Sequence, residues 1–431
     1  MNRGKLLTIS IIIVIGITPI LSGSSIAVDI SSNTNDLAIT DSHVIEGIPY
    51  VGGLCSWAVE TMILQYYGIN TSMNELFYIS GSAYCSASFP PLASLQEIPV
   101  KYTCCPGLFL GAFDYEYYES LYGMSLFSWQ PENTFNTGKC WNEYWSKIKY
   151  YISSDTPLGV MIDPCAWPIY KDVQNWSRTP FFKRGGHQIL IVGYNETNGT
   201  ICFQDPEATY YNLPDKEGYL WDDLNTFRIA VKRLNYLKEP GCYSYFLFGL
   251  EKVSESLPKK TIIEEANIRN IEKMKGNKSI YEEIGLDFQN YGIKSIKSLK
   301  QEFLDLNKTM LLALYCLKEK ILQKFLSGGN AYHNFWSTSN FNYEIKHNVS
   351  EFLLENQDIS PICKYGGELL ENESKCWKNI NLIVTELNEI HKSNGLFKSM
   401  MLSKPLINEV VTLLDSIITI EQAIIDRPFY N

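Results

Sequence analysis

The chain has 431 residues, of which 45% are hydrophobic, 13% aromatic and 19% charged, and its formal charge is −10. At about 150 residues per domain this length predicts two or three domains, and the aromatic and apolar content excludes a wholly disordered chain. The acidic balance, with no basic stripe to neutralise phosphates, argues against nucleic acid as a partner.

The N-terminus reads as an address. A short basic start, Met1 to Lys5, leads into an apolar run from Leu6 to Leu21 and then into small residues up to Ala27. That three-part pattern predicts a secretory signal peptide over residues 1–27, with cleavage after Ser25-x-Ala27. An uncleaved N-terminal anchor is the other reading. Nothing downstream reaches ~18 consecutive apolar residues, so no stable membrane span is expected in the mature chain, and the protein is expected to be secreted or extracytoplasmic. Residues 28–42 are polar and aperiodic, a linker.

Export bears on the eleven cysteines, because an oxidising exterior favours disulfides. The odd count leaves at least one thiol, and Cys363 and Cys376 read as a pair that staples a loop. No Cys-x-x-Cys pair with zinc spacing exists and only five histidines are present, so neither a metal nor a cofactor is expected.

Residues 43–255 mix short apolar runs with Gly, Pro, Tyr and Trp. Leu158–Ile162, Gln188–Val192 and Tyr245–Phe248 read as buried strands, with helices at 55–67 and 141–153 between them, an α+β pattern. After Leu257-Pro258-Lys259-Lys260 the composition turns to Glu, Lys, Leu and Ile at helical spacing. Three stripes mark core faces of an all-α helical-bundle domain over 260–431: Ile296 to Ile321, Trp377 to Ile390, and Leu406-Val410-Leu413-Ile417-Ile420. The bundle could cap a cleft, select substrates or bind a protein partner.

Two segments carry chemistry. In the first, Gly47-Ile48-Pro49-Tyr50 and Gly52-Gly53-Leu54 end at Cys55, which opens an apolar helix closed by Gly68. A thiol at a helix N-terminus meets unpaired N–H groups and the positive end of the dipole, which favour the thiolate. The first-turn amide can also donate to a developing oxyanion. In the second segment, Gly185-Gly186-His187 begins a strand through Tyr194, and after a turn at Asn195–Gly199 a second strand ends at Gln204-Asp205-Pro206. Such a hairpin puts His187 and Asp205 at one end of neighbouring strands, where the carboxylate can orient the imidazole. Cys55, His187 and Asp205 are therefore the candidate catalytic residues. The competing readings are a half-cystine at Cys55, with Cys165 the most awkward partner, and a structural histidine at position 187.

These segments resemble the papain-like cysteine peptidases that remove double-glycine leaders from bacteriocins, and their stand-alone exported relatives. The matching residues are Ile48-Pro49-Tyr50, Cys55 through Gly68, Gly186-His187 through Tyr194, and Asp205-Pro206; Thr156-Pro157-Leu158 matches the strand ahead of the histidine. The resemblance implies a papain-like fold, a Cys–His–Asp triad and a peptide or amide substrate. The chain departs from the family in lacking the glutamine that precedes the cysteine and completes the oxyanion hole; Tyr50 and Gln188 are the substitute donors considered. A weaker resemblance, through Phe325–Asn330 and Phe352–Glu355, is to acyltransferases of the butirosin-biosynthesis type, which implies acyl transfer from the same cysteine. A non-catalytic surface or binding protein that retains the fold is the third reading.

Overall fold

The computed structural model describes residues 40–84, 86–88, 108–110, 117, 120–131, 137–170, 187–215, 218–233, 244–283, 290–301, 303–304, 330–394 and 396–427. The expected signal peptide, most of the linker, the stripe from Leu306 to Ile321, residues 325–329 and the cysteines at 85, 104, 105, 242 and 316 lie outside them. Chain contacts define two compact units. One holds Asn35–Glu46 with Ser128–Phe248, the other Gly47–Phe127 with Gly249–Asn431.

The first unit is organised by a strand that the sequence marks as buried. Strand β6 (His187–Asn195) is covered on both faces for eight of its nine residues, and its near-continuous apolar run suits that position. Strands β5 (Leu158–Ile162) and β7 (Thr200–Gln204) pair with it in antiparallel fashion, Ile162 opposite His187 and Leu190 opposite Gln204. Strand β1 (Ser42–Val44) joins the far end of β6, with Val44 opposite Gly193. A β-carbon at Gly193 would stand 2.8 Å from the His43 carbonyl oxygen, so the close approach of β1 needs glycine there.

The seven-stranded sheet is completed by β4 (Met124–Trp129), β8 (Leu220–Asp223) and β9 (Leu247–Lys252), in the order β4-β9-β5-β6-β7-β8. The helix expected at 141–153 begins earlier, as α3 (Thr137–Ser153). With α4 (Leu224–Arg233) it supplies an aromatic core: Trp141 stacks on Trp145, and Tyr144 packs on Phe227 and Tyr245. Trp167 fills the space between Phe203 and Phe227.

The second unit opens with α1 (Cys55–Tyr66), buried continuously from Ser56 to Leu64, as its all-round apolar pattern predicts. Gly68 takes φ +80°, the left-handed conformation that ends a helix cheaply only in glycine. Helix α2 (Met73–Ile79) is capped by Ser72, whose hydroxyl accepts from the Glu75 N–H. Helix α5 (Lys259–Lys275) docks on α2 through polar bonds. Asn270 donates to the Tyr78 carbonyl at 2.8 Å, Lys273 donates to the Ser80 carbonyl at 2.7 Å, and Lys259 pairs with Glu75 at 3.0 Å. A three-stranded antiparallel sheet is formed by β2 (Ser86–Ser88), β3 (Leu108–Leu110) and β10 (Asn290–Tyr291).

Helices α7 (Asn330–Glu355), α8 (Pro361–Ser393) and α9 (Leu396–Asp426) follow the short α6 (Lys278–Glu283). Their core gathers Ile296, Leu299, Phe303, Trp377, Ile380, Ile383, Leu387, Val410 and Ile417, all from the expected stripes. In α9 the buried face also takes in Ile407 and Leu414, while Leu406 and Leu413 pack at the margin. The buried stripe runs Ile407, Val410, Leu414 and Ile417, whose steps of three and four residues keep one face of the helix inward. The α+β sheet region followed by a helical region is the architecture expected. Among the described residues no helix is long and apolar enough to cross a membrane.

The expected pairing of Cys363 with Cys376 is corrected. Cys363 and Cys376 lie in one continuous helix, α8, and flank no loop. At 1.5 Å rise per residue they stand roughly 20 Å apart along its axis, beyond any disulfide reach. The six described cysteines, Cys55 among them, carry thiols.

Candidate active site

The site in the first unit is built by the hairpin of β6 and β7. Antiparallel register carries the chain from Gln204 into a turn that faces the start of β6, so His187 and Asp205 end at the same edge of the sheet. His187 Nε2 lies 3.0 Å from both carboxylate oxygens of Asp205. Both residues are almost wholly buried, 2% and 1% exposed. Burying a carboxylate demands donors, and two more are supplied. The Tyr170 hydroxyl donates to Oδ2 at 2.6 Å and the Glu207 N–H donates to Oδ1 at 2.7 Å.

This donor set fixes the histidine tautomer. A carboxylate that accepts from a phenol and an amide is itself an acceptor, so Nε2 carries the hydrogen and Nδ1 is the ring's basic nitrogen. Two tyrosine rings hold the imidazole edge-on: Tyr211 at 4.9 Å between centroids and Tyr170 at 6.0 Å, themselves in edge contact. Burial, and after it the charge and hydrogen bond of Asp205, push the Tyr170 phenol well above its ordinary value. It therefore remains a donor throughout the working pH range. Removing it with Tyr170→Phe leaves one lone pair of a buried carboxylate without its donor. The expected cost is about 1–2 kcal/mol in a denaturant midpoint.

Cys55 is the first residue of α1 in the second unit, half-buried and a thiol. The preceding residue, Leu54, has extended backbone and provides no side-chain cap. The first-turn N–H groups are thus not taken by a capping side chain, the arrangement that suits an anion at a helix start. Of the two substitute oxyanion donors, Gln188 is unsuited. It follows His187 directly on β6, and strand alternation turns it to the opposite face of the sheet, where it pairs in register with Met161. Tyr50 lies half-buried in the approach to α1.

Tyr170, Glu207 and Tyr211 were not legible as site residues. Tyr170 precedes His187 by 17 positions with no pattern linking them. Glu207 carried one faint signal, since Asp-Pro-x is an Asx-turn sequence that returns the third residue's N–H to the aspartate.

No curated protein matches the chain. Residues 35–227 match the Peptidase_C39 like family, a span that runs from β1 into α4 and takes in Cys55, His187 and Asp205. That match relates this part of the chain, with its papain-like α+β fold, to the papain-like cysteine peptidases.

Proposed function

We propose that the protein is an exported thiol hydrolase that cleaves peptide or amide bonds, with Cys55 as nucleophile, His187 as general base and acid, and Asp205 as the group that orients His187. The observation that carries this reading is the buried His187–Asp205 pair, in which the aspartate takes donors from Tyr170 and Glu207 and directs the proton to Nε2. The thiol state of Cys55 at the head of α1 and the family match over residues 35–227 support it.

In the proposed cycle the Cys55 thiol gives its proton to His187 Nδ1, and the sulfur attacks the carbonyl carbon of the substrate. The tetrahedral oxyanion takes a hydrogen bond from the Cys55 backbone N–H. The C–N bond breaks as Nδ1 returns the proton to the leaving amine, leaving a thioester. Water then attacks the thioester, loses a proton to Nδ1, and the C–S bond breaks to release the acid and restore the thiol. Asp205 holds the ring in one tautomer throughout and stabilises the imidazolium.

The test is to trap the intermediate. Incubation with a peptide library followed by rapid acid quench and intact-mass analysis should show acyl adducts confined to Cys55. Added amines that appear in the product would redirect the reading to acyl transfer. Absence of any adduct or product across the library would refute both.

A further inference from the structure

We propose that Glu207 is a positioning residue for His187, a second carboxylate that faces the reactive nitrogen and holds the imidazole in its protonated form during turnover. The inference rests on the thiol-hydrolase reading for its role in the cycle, although the charge contact itself does not depend on that reading. One Asx turn creates the arrangement. The Glu207 N–H is bound to Asp205 Oδ1, and the turn is closed by the Ala208 N–H on the Asp205 carbonyl and the Tyr211 N–H on the Glu207 carbonyl. The same three residues that place one carboxylate against Nε2 thereby carry a second to the other side of the ring, Glu207 Oε2 standing 3.8 Å from Nδ1.

That separation is too long for a direct hydrogen bond and short enough for a strong charge interaction. Glu207 is 22% exposed at its side chain, so water and salt reduce the interaction without removing it. Other described groups also lie around the ring. Asp205 occupies Nε2. Tyr170 and Tyr211 present ring edges, and Tyr170 keeps its proton. Asp163, which follows the β5 partner of His187, accepts from the Cys165 N–H. Among the described residues of this unit, Glu207 is the carboxylate that faces Nδ1, the atom that must take, hold and return a proton in each half of the proposed cycle. Its charge favours the imidazolium most when the sulfur is acylated and no thiolate balances the ring.

The experiment is an NMR titration of the His187 ring in protein labelled at histidine, with the His187 signal identified by its loss in His187→Gln. Glu207→Gln should lower the proton affinity of His187 about three- to tenfold, and Glu207→Asp, shorter but charged, should fall between. The alkaline side of the alkylation profile of Cys55 should move the same way. A parallel measurement on the wild type needs no variant: raising salt from 0.05 to 1 M should lower the affinity in the same direction. Identical titrations for the wild type and Glu207→Gln, each with native amide spectra, would overturn the proposal. If Cys55→Ser leaves the His187 titration untouched while Glu207→Gln shifts it, the thiol–imidazole pairing fails and the Glu207 contact stands, so the two failures are distinguishable.

Discussion

Cys55→Ser is expected to lower kcat/KM for peptide cleavage by at least about a thousandfold while leaving the unfolding midpoint almost unchanged. The change replaces a sulfur, whose anion is a strong nucleophile, with a hydroxyl that an imidazole deprotonates poorly. The position is the half-buried first residue of a helix, with no disulfide to lose, and a substitution of equal shape there should cost no more than about 0.5 kcal/mol. His187→Ala should reduce the rate to a similar extent, and the double variant should be no worse than either single one, because residues that act as a unit lose their effect together. Additive losses would mean that the two side chains serve separate purposes. Steady-state kinetics on a peptide cleaved by the wild type, with melts run in parallel, reads both outcomes.

The largest stability effect is expected at a buried group of charges in the second unit. Lys346 of α7 lies 2.7 Å from Glu373 of α8 and 3.5 Å from Glu421 of α9, and it also donates to the Ala83 carbonyl at 2.7 Å. All three side chains are at most 3% exposed. One ammonium neutralises one carboxylate, so a second buried carboxylate must keep its proton or leave a net charge in the core. Burial, reinforced by the neighbouring Glu373, pushes Glu421 up to about 8, against the pull of Lys346. The proton it retains can bridge to Glu373 and so pair the Oε2 atoms of both glutamates, which have no other donor among the described residues. Burial pulls Lys346 down, but the two glutamates outweigh it and the net shift is upward, so the lysine stays charged.

Two results follow from this arrangement. Lys346→Met should destabilise the fold by about 3–5 kcal/mol, the cost of stranding a buried carboxylate. The pH dependence has a definite sign. The folded state holds the Glu421 proton up to about pH 8, while the unfolded chain releases it near the ordinary value of 4.5. Between those limits the unfolded state binds fewer protons, so stability contributed by this group is complete below about pH 4.5 and is lost as pH rises through 8. Glu421→Gln, neutral at every pH, should flatten that decline and raise the denaturant midpoint at pH 8 relative to pH 5. A wild-type midpoint that rises from pH 5 to 8, with Glu421→Gln parallel to it, would contradict this account of the cluster.

Much of this was legible in the sequence because it depended on local rules. A cysteine followed by apolar residues and closed by glycine gives a buried helix with a thiol at its head, and α1 runs from Cys55 with Gly68 in the left-handed conformation. Two apolar runs around an Asn- and Gly-containing turn give a hairpin, and antiparallel pairing alone brings His187 to Asp205. What escaped depended on the path of the chain in three dimensions. Tyr170 reaches Asp205 from outside the hairpin, and Glu207 reaches Nδ1 through a side-chain direction that spacing does not encode. The Lys346–Glu373–Glu421 group was hidden for the same reason: each residue is a charge on a helix that reads as amphipathic, and only the packing of three helices shows that these charges point inward. The reading of Cys363 and Cys376 as flanking a loop failed because a helix of 33 residues runs unbroken through both of them, past Gly366 and Gly367.

The central claim is that the sulfur of Cys55 reacts under the control of His187, and the rate of its alkylation by iodoacetamide against pH, in the wild type and in His187→Ala, tests it most directly. The account predicts a wild-type thiol that alkylates well below pH 7, in a profile that collapses toward that of a simple thiol when the imidazole is removed. A wild-type profile that already follows an ordinary thiol, rising only near pH 8.5 and unchanged by His187→Ala, would contradict it.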